Sequence, residues 1–265
     1  MSSAQAKGHR RSDSPRNIKL LIEYLGSRFI GWQRQRGPLL SVEGKILQAI
    51  TSISGENLHV NVAGRTDTGV HAIGQIANFI TYSPMDGRRW APALNHYLPV
   101  DISIHLSQDV PLQFNAKRDS LSKRYRYRFY NASQAAALEY NAWHIRSPID
   151  IDRIKRARQC LLGEHDFNAF RSAHCDASHA FRDMLSIDVE RVPRPPLGHY
   201  VDITFHANAY CRHMCRILAG TLLEIGLGRR SEESLKECLK SRQREQAGQT
   251  AEAKGLTLME VLYPT

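Results

Sequence analysis

No apolar run in this 265-residue chain approaches the roughly 20 residues that a membrane-spanning helix needs. The N-terminus has no apolar signal-peptide core either. Cysteine is sparse: Cys160, Cys175, Cys211, Cys215 and Cys238 are odd in number and have no disulfide-framework spacing. That points to a reducing compartment, the cytoplasm, and not to a secreted scaffold. Two loose clusters, Cys211/His213/Cys215 and His174/Cys175/His179, lack the Cys-x-x-Cys knuckle of a structural zinc site, so no metal is expected. A phosphate-binding Gly-rich loop and a dinucleotide fingerprint are missing too, which argues against a nucleotide cofactor. Acidic residues fall short of basic ones, 26 against 36, leaving a formal charge of +10. Such a surplus favours a polyanionic partner, with nucleic acid first and an anionic membrane second.

What is present is an ordinary globular composition, 42% hydrophobic and 23% charged. The length allows one large domain or two of roughly 100–130 residues. Residues 1–16 carry Lys7, Arg10, Arg11 and Arg16 against Asp13 alone, and read as a flexible basic tail with a faint transit-peptide character. Residues 17–112 and 113–265 then each read as an α+β half. Strands are expected near 17–24, 57–65, 74–81 and 102–108 in the first half. Its helices start after Ser41 and near 88–96. In the second half, strands are expected near 122–131, 183–192, 199–207 and 257–262. Its helices are expected at 150–162, 212–226 and 232–240. This mixture suggests α+β packing and not a doubly wound parallel sheet.

Three segments carry chemistry. The first is Ala63-Gly64-Arg65-Thr66-Asp67-Thr68-Gly69-Val70-His71-Ala72. If the strand before it continues to Asp67, the two-residue repeat sets Arg65 and Asp67 on one face. Gly64 and Gly69 clear bulk on either side. The plain alternative is a solvated turn with a surface ion pair. The second is Lys123-Arg124-Tyr125-Arg126-Tyr127-Arg128-Phe129, whose pleat separates aromatics from arginines. Tyr127 and Phe129 read as core, while Tyr125, near the strand's start, can reach a cleft. Aromatics interleaved with Arg also suit an RNA surface, by stacking and phosphate pairing. The third is Arg212-His213-Met214-Cys215-Arg216-Ile217-Leu218-Ala219-Gly220. Arg216 in a largely apolar helix needs a carboxylate or phosphate partner unless it snorkels to solvent. Asp67 is the candidate partner.

Together these segments resemble the tRNA pseudouridine synthases of the TruA type. The likeness runs in order from Gly26-Ser27 and Gly31-Trp32-Gln33-Arg34-Gln35 through the Asp67 segment. It continues in Ala93-Leu94-Asn95, Leu98-Pro99, Asp101-Ile102, Phe114 with Ala116, and Tyr125-Arg126-Tyr127. Leu162-Gly163-Glu164-His165-Asp166-Phe167, then His213-Met214 with Arg216 and Gly220, and Lys254-Gly255-Leu256 complete it. Leu25, Glu43, Thr68, Lys117 and Ile217 depart from the family's usual Asp, Gln, Ala, Arg and Asn; none of them is the catalytic acid.

The resemblance implies two RRM-like (ferredoxin-like) halves whose antiparallel sheets join into one platform, with the active cleft between them. It implies a homodimer that holds tRNA, and isomerisation of uridine to pseudouridine at positions 38 to 40 of the anticodon stem-loop, without cofactor. It makes Asp67 the essential carboxylate, with Arg216 as its partner. Arg65 would brace the flipped nucleotide, and Tyr125 would stack on uracil and assist removal of the C5 proton. Gln33, Arg34, Lys117 and Arg124 would contact RNA. Whether Asp67 attacks the sugar, adds to the base or removes a C2′ proton stays open. All three roles need an ionised carboxylate, which a neighbouring Arg favours.

Two other readings compete. Asp67-Thr68-Gly69 matches the aspartic-protease tripeptide, but no second copy exists and the residues before it are polar. A non-catalytic RNA-binding module explains the basic strand, yet gains nothing from an anion at Asp67.

Overall fold

A computed structural model describes residues 11–35 and 40–264. Most of the expected tail, residues 1–10, lies outside the described residues. Arg16, assigned to that tail by its charge, instead opens strand β1 (Arg16–Tyr24) and grips Asp109 with two guanidinium nitrogens, at 2.8 and 2.6 Å.

The elements that follow are α1 (Val42–Ser54), β2 (Val60–Val62), β3 (His71–Thr81), α2 (Trp90–Tyr97), β4 (Ile102–Val110), β5 (Ser122–Asn131), β6 (Trp143–Ile145), α3 (Ile151–Ala157), β7 (Gly163–Asp166), β8 (Phe181–Pro193), β9 (His199–Ala207), α4 (Met214–Gly226), α5 (Glu233–Ser241) and β10 (Leu256–Leu262). Ser41 caps α1 by accepting from the Gly44 amide, and Asp150 caps α3 through Arg153, as short polar side chains at N-caps do. Three expected boundaries shift. β2 stops at Val62 and does not continue towards Asp67. α3 is α-helical only to Ala157, then tightens into a 3-10 turn. α4 begins at Met214, because His213 adopts a left-handed backbone with φ of 65° that the helix cannot include. Short β6 and β7 carry too few residues to show a period.

All ten strands form one mostly antiparallel sheet, with main order β4-β1-β3-β10-β5-β9-β8-β7. The fold is mixed α+β. The last strand, β10, sits at the centre: it pairs in parallel with β3 and antiparallel with β5, and so joins the first and second parts of the chain. Directly paired residues point to the same side of a sheet. Tyr24, Ala72, Leu258, Tyr125 and Phe205 therefore form one row across β1, β3, β10, β5 and β9. All five are buried, as are Tyr127 and Phe129 further along β5. Arg124, Arg126 and Arg128 occupy the opposite face of β5 and remain partly exposed. One face of the central sheet is thus covered, and the site lies on that side.

Candidate active site

Asp67 stands in the irregular loop between β2 and β3, and the loop is fixed from below. Thr66 is buried, its hydroxyl 2.8 Å from the Tyr24 hydroxyl. The Gln75 amide donates to both Tyr24 Oη (3.3 Å) and the Gly64 carbonyl (2.8 Å), so the Tyr24 hydroxyl is free to donate to Thr66. From the side, the Trp32 amide donates to the Thr66 carbonyl at 3.1 Å. This approach depends on Gly31, whose φ is +97° and whose missing Cβ would sit 2.5 Å from the Thr66 carbonyl oxygen. The Val70 amide closes the turn onto the Asp67 carbonyl.

His71 braces the loop's exit. The Gly26 amide can only donate, so Nδ1 accepts at 2.9 Å and Nε2 carries the proton, donating to the Lys254 carbonyl at 3.1 Å. Burial holds this imidazole below its ordinary pKa, in keeping with that neutral tautomer.

Arg216 reaches Asp67 from the first turn of α4. Its Nη1 is 3.7 Å from Asp67 Oδ2, with the two side chains only 16% and 25% exposed. The separation exceeds a hydrogen bond but keeps the charges adjacent, with little water to screen them. The guanidinium is itself aimed: Nε donates to the Ala251 carbonyl at 2.8 Å, and the Ala251 amide returns a bond to the Arg216 carbonyl. Segment 248–251 lies this close because Gly220 has no side chain to meet Gln249 and the Thr221 hydroxyl accepts from Gly248.

A second imidazole faces the carboxylate. His213 Nε2 is 3.6 Å from Asp67 Oδ2. Burial first, with Arg216, Arg212 and Arg244 adding to it against the pull of Asp67, holds His213 below its ordinary pKa. Arg216 is therefore the cation of the pair at neutral pH. His213 stands in the sequence only as part of a motif; its left-handed φ and its place beside Asp67 have no local signal.

Tyr125 closes the wall. It is 7% exposed and meets Tyr210 edge-on, with ring centroids 5.0 Å apart. Burial, reinforced by Cys215, Tyr24 and Asp67, keeps its hydroxyl protonated far above the usual phenol range. It offers a ring and a neutral hydroxyl. The Cys215 thiol, buried beside Asp67, is likewise pushed up and stays neutral.

The remaining candidates are spread out. Arg65 is exposed and, among the described residues, forms no ion pair with Asp67, so the surface-pair reading of the loop fails. Gln33 donates to Glu43 at 2.8 Å, and the Arg34 amide donates to the same carboxylate oxygen, which ties the Gly31 loop to α1. Lys117 is exposed. Arg124 pairs with Glu260 at 2.6 Å on the sheet face away from Tyr125. The structure thus brings Asp67, Arg216 and Tyr125 together, places Arg65 at the loop's outer side, and leaves Arg124 on the far face.

A family model described as tRNA pseudouridine synthase matches residues 20–118 and 157–264. The chain is 40% identical to tRNA pseudouridine synthase A of Cronobacter sakazakii, over 93% of this chain and 90% of that one. It is also 40% identical to the protein of that name from Acetivibrio thermocellus, over 94% and 100%, and 39% identical to that from Salmonella typhimurium, over 96% and 92%. With both match segments and these relatives spanning the elements that build the Asp67 site, the chain belongs to the tRNA pseudouridine synthase family.

Proposed function

We propose that this protein isomerises uridine to pseudouridine in tRNA, at positions 38 to 40 of the anticodon stem-loop, with Asp67 as the essential carboxylate. The observation that carries this reading is Asp67 itself: a carboxylate faced by Arg216 and His213, near the buried Tyr125, in a protein of net charge +10.

The reaction breaks the bond from C1′ to N1 of uracil, turns the base and joins C1′ to C5. The hydrogen leaves C5 and N1 gains one, so atoms balance without an external reactant. A uridine stacked in a stem cannot present these atoms, and it must be flipped out of the helix. Tyr125 supplies an aromatic wall for the flipped base, worth ~1–3 kcal/mol as stacking. Arg65, exposed at the loop's outer side, fills or braces the gap left in the stem. Arg216 faces and orients the Asp67 carboxylate whichever of its possible steps the carboxylate performs.

The same reading gives the chain two RRM-like halves, residues 17–112 and 113–265, with the cleft between them. It also makes the working unit a cytoplasmic homodimer whose basic surfaces hold tRNA, with Gln33, Arg34 and Lys117 as contacts, while Arg124, held by Glu260 on the other face of β5, is not among them. Incubation with unmodified tRNA transcripts, without cofactor, followed by chemical derivatisation of pseudouridine, tests it. Derivatised positions within 38 to 40 are expected; a transcript left unmodified rejects the reading.

A further inference from the structure

Lys123 lies two residues before Tyr125 on β5, so the pleat puts both side chains on the covered face. The residue is 9% exposed. Its stem runs past Gly64, at the root of the Asp67 loop: a Cβ at Gly64 would come within 3.3 Å of Lys123 Cε and 3.9 Å of the Tyr125 hydroxyl. The ammonium donates one hydrogen bond, to Ser120 Oγ at 2.9 Å, and Ser120 in turn donates to the Lys117 carbonyl. Among the described residues no carboxylate answers it, and the one charge that acts on it is the cation Lys117.

Buried ammonium groups are costly unless paired, and this one keeps two of its three donors for a ligand. A partner must be anionic, must reach the wall of the Asp67 site, and must leave when the protein is free. We propose that Lys123, with Lys117 at the rim, docks the phosphodiester next to the flipped uridine. This assignment rests on the function proposed above. The contact fixes a point of the backbone about which the nucleotide turns, so the base arrives against Tyr125 with its sugar near Asp67. Gly64 belongs to the same device, since any side chain there would press on the lysine stem.

Methylphosphonates, which remove the charge of one phosphate, test this when placed singly at each nucleotide flanking positions 38 to 40. Binding and single-turnover rate are measured for the wild type, Lys123→Met and Lys123→Arg. In the wild type, one flanking position should lose about ten- to a hundredfold in affinity, the size of a charge-assisted hydrogen bond. Lys123→Met should show that loss with unsubstituted RNA and be indifferent to the methylphosphonate at that position. Lys123→Arg should recover most of the affinity. Equal sensitivity of wild type and Lys123→Met at every flanking position overturns the proposal. So does a wild type with no sensitive flanking position, a result that stands even if Lys123→Met does not fold. Product formation on unsubstituted RNA by the wild type reports the proposed reaction separately.

Discussion

Arg216 holds its guanidinium with Nε on the Ala251 carbonyl and Nη1 3.7 Å from Asp67 Oδ2, although Arg216 and Asp67 are about 150 positions apart in the chain. The contact is a product of the sheet. β10 draws the last residues of the chain between β3 and β5, and this sets Ala251 beside α4 and α4 beside the loop that enters β3.

Replacing Arg216 by Met should therefore lower the single-turnover rate at saturating tRNA by a hundredfold or more, on the order of 3 kcal/mol. Folding should suffer less, since removing the bond to Ala251 leaves one carbonyl unpaired at a cost of ~1–3 kcal/mol. Arg216→Lys keeps a charge but not the planar fork that serves Ala251 and Asp67 at once, and should fall between. Rapid-quench measurements on the three proteins check the order. An Arg216→Met protein as fast as Arg216→Lys would show that the charge beside Asp67 is not what matters.

Gly31→Ala should damage the same site from the other side. Its φ of +97° is strained for alanine, and the new Cβ would press on the Thr66 carbonyl oxygen. A stability loss of ~1–3 kcal/mol is expected, with a fall in kcat from displacement of Asp67. Thermal melts together with saturating-substrate rates check this; wild-type values of both would free the loop from its dependence on Gly31.

Lys123 yields a prediction of opposite sign for stability and binding. Burial lowers its pKa from 10.5 to about 8. Below pH 8 the lysine is charged folded and unfolded, so the native state bears the full desolvation cost, on the order of 3 kcal/mol. Between pH 8 and 10.5 the unfolded chain holds a proton that the native state lacks, so this cost is relieved as pH rises. Lys123→Met should thus raise the stability of the free protein at pH 7 by ~1–3 kcal/mol, with the advantage shrinking towards pH 10, while tRNA binding weakens. Denaturant unfolding of both proteins at pH 7 and pH 10 decides it; a mutant less stable at pH 7 contradicts the picture of an unpaired buried cation.

Salt dependence separates the two faces of β5. Removing one cation that binds a phosphate should reduce the slope of log affinity against log salt by about 0.7–0.9. Lys117→Ala and Lys123→Met should each do so. Arg124→Ala should leave the slope unchanged, because Arg124 is engaged with Glu260 on the face away from Tyr125. A shallower slope for Arg124→Ala alone would move the RNA to the opposite face.

Much of this is legible in the residues. The alternation of Tyr125, Tyr127 and Phe129 with arginines declares a strand with one covered face, and Ser41 declares the start of a helix. An arginine inside an apolar helix asks for a partner, and Asp67 is there. What is not legible depends on long-range geometry. Residues 57–65 read as a strand because Val60 and Val62 alternate, but the ladder with β3 ends at Val62, with one further bond from the Ala63 amide to the Ile76 carbonyl, and the chain leaves the sheet before Asp67. His213 next to Asp67 follows from a left-handed residue that no periodicity signals. Lys123 reads as one more basic residue of a basic strand until Gly64 is seen lying against it.

The most direct measurement of the central claim uses tRNA carrying tritium at uridine C5. Joining C5 to C1′ expels that hydrogen, so isomerisation releases tritium to water. The wild type should release it without any added cofactor. Asp67→Asn should release it far more slowly, by roughly a thousandfold or more, on the order of 4 kcal/mol of barrier. Its tRNA affinity and thermal stability should stay close to wild type, because removing an anion from a phosphate-binding cleft does not weaken binding. Tritium release by Asp67→Asn at even a tenth of the wild-type rate would contradict the assignment of Asp67 as the essential carboxylate.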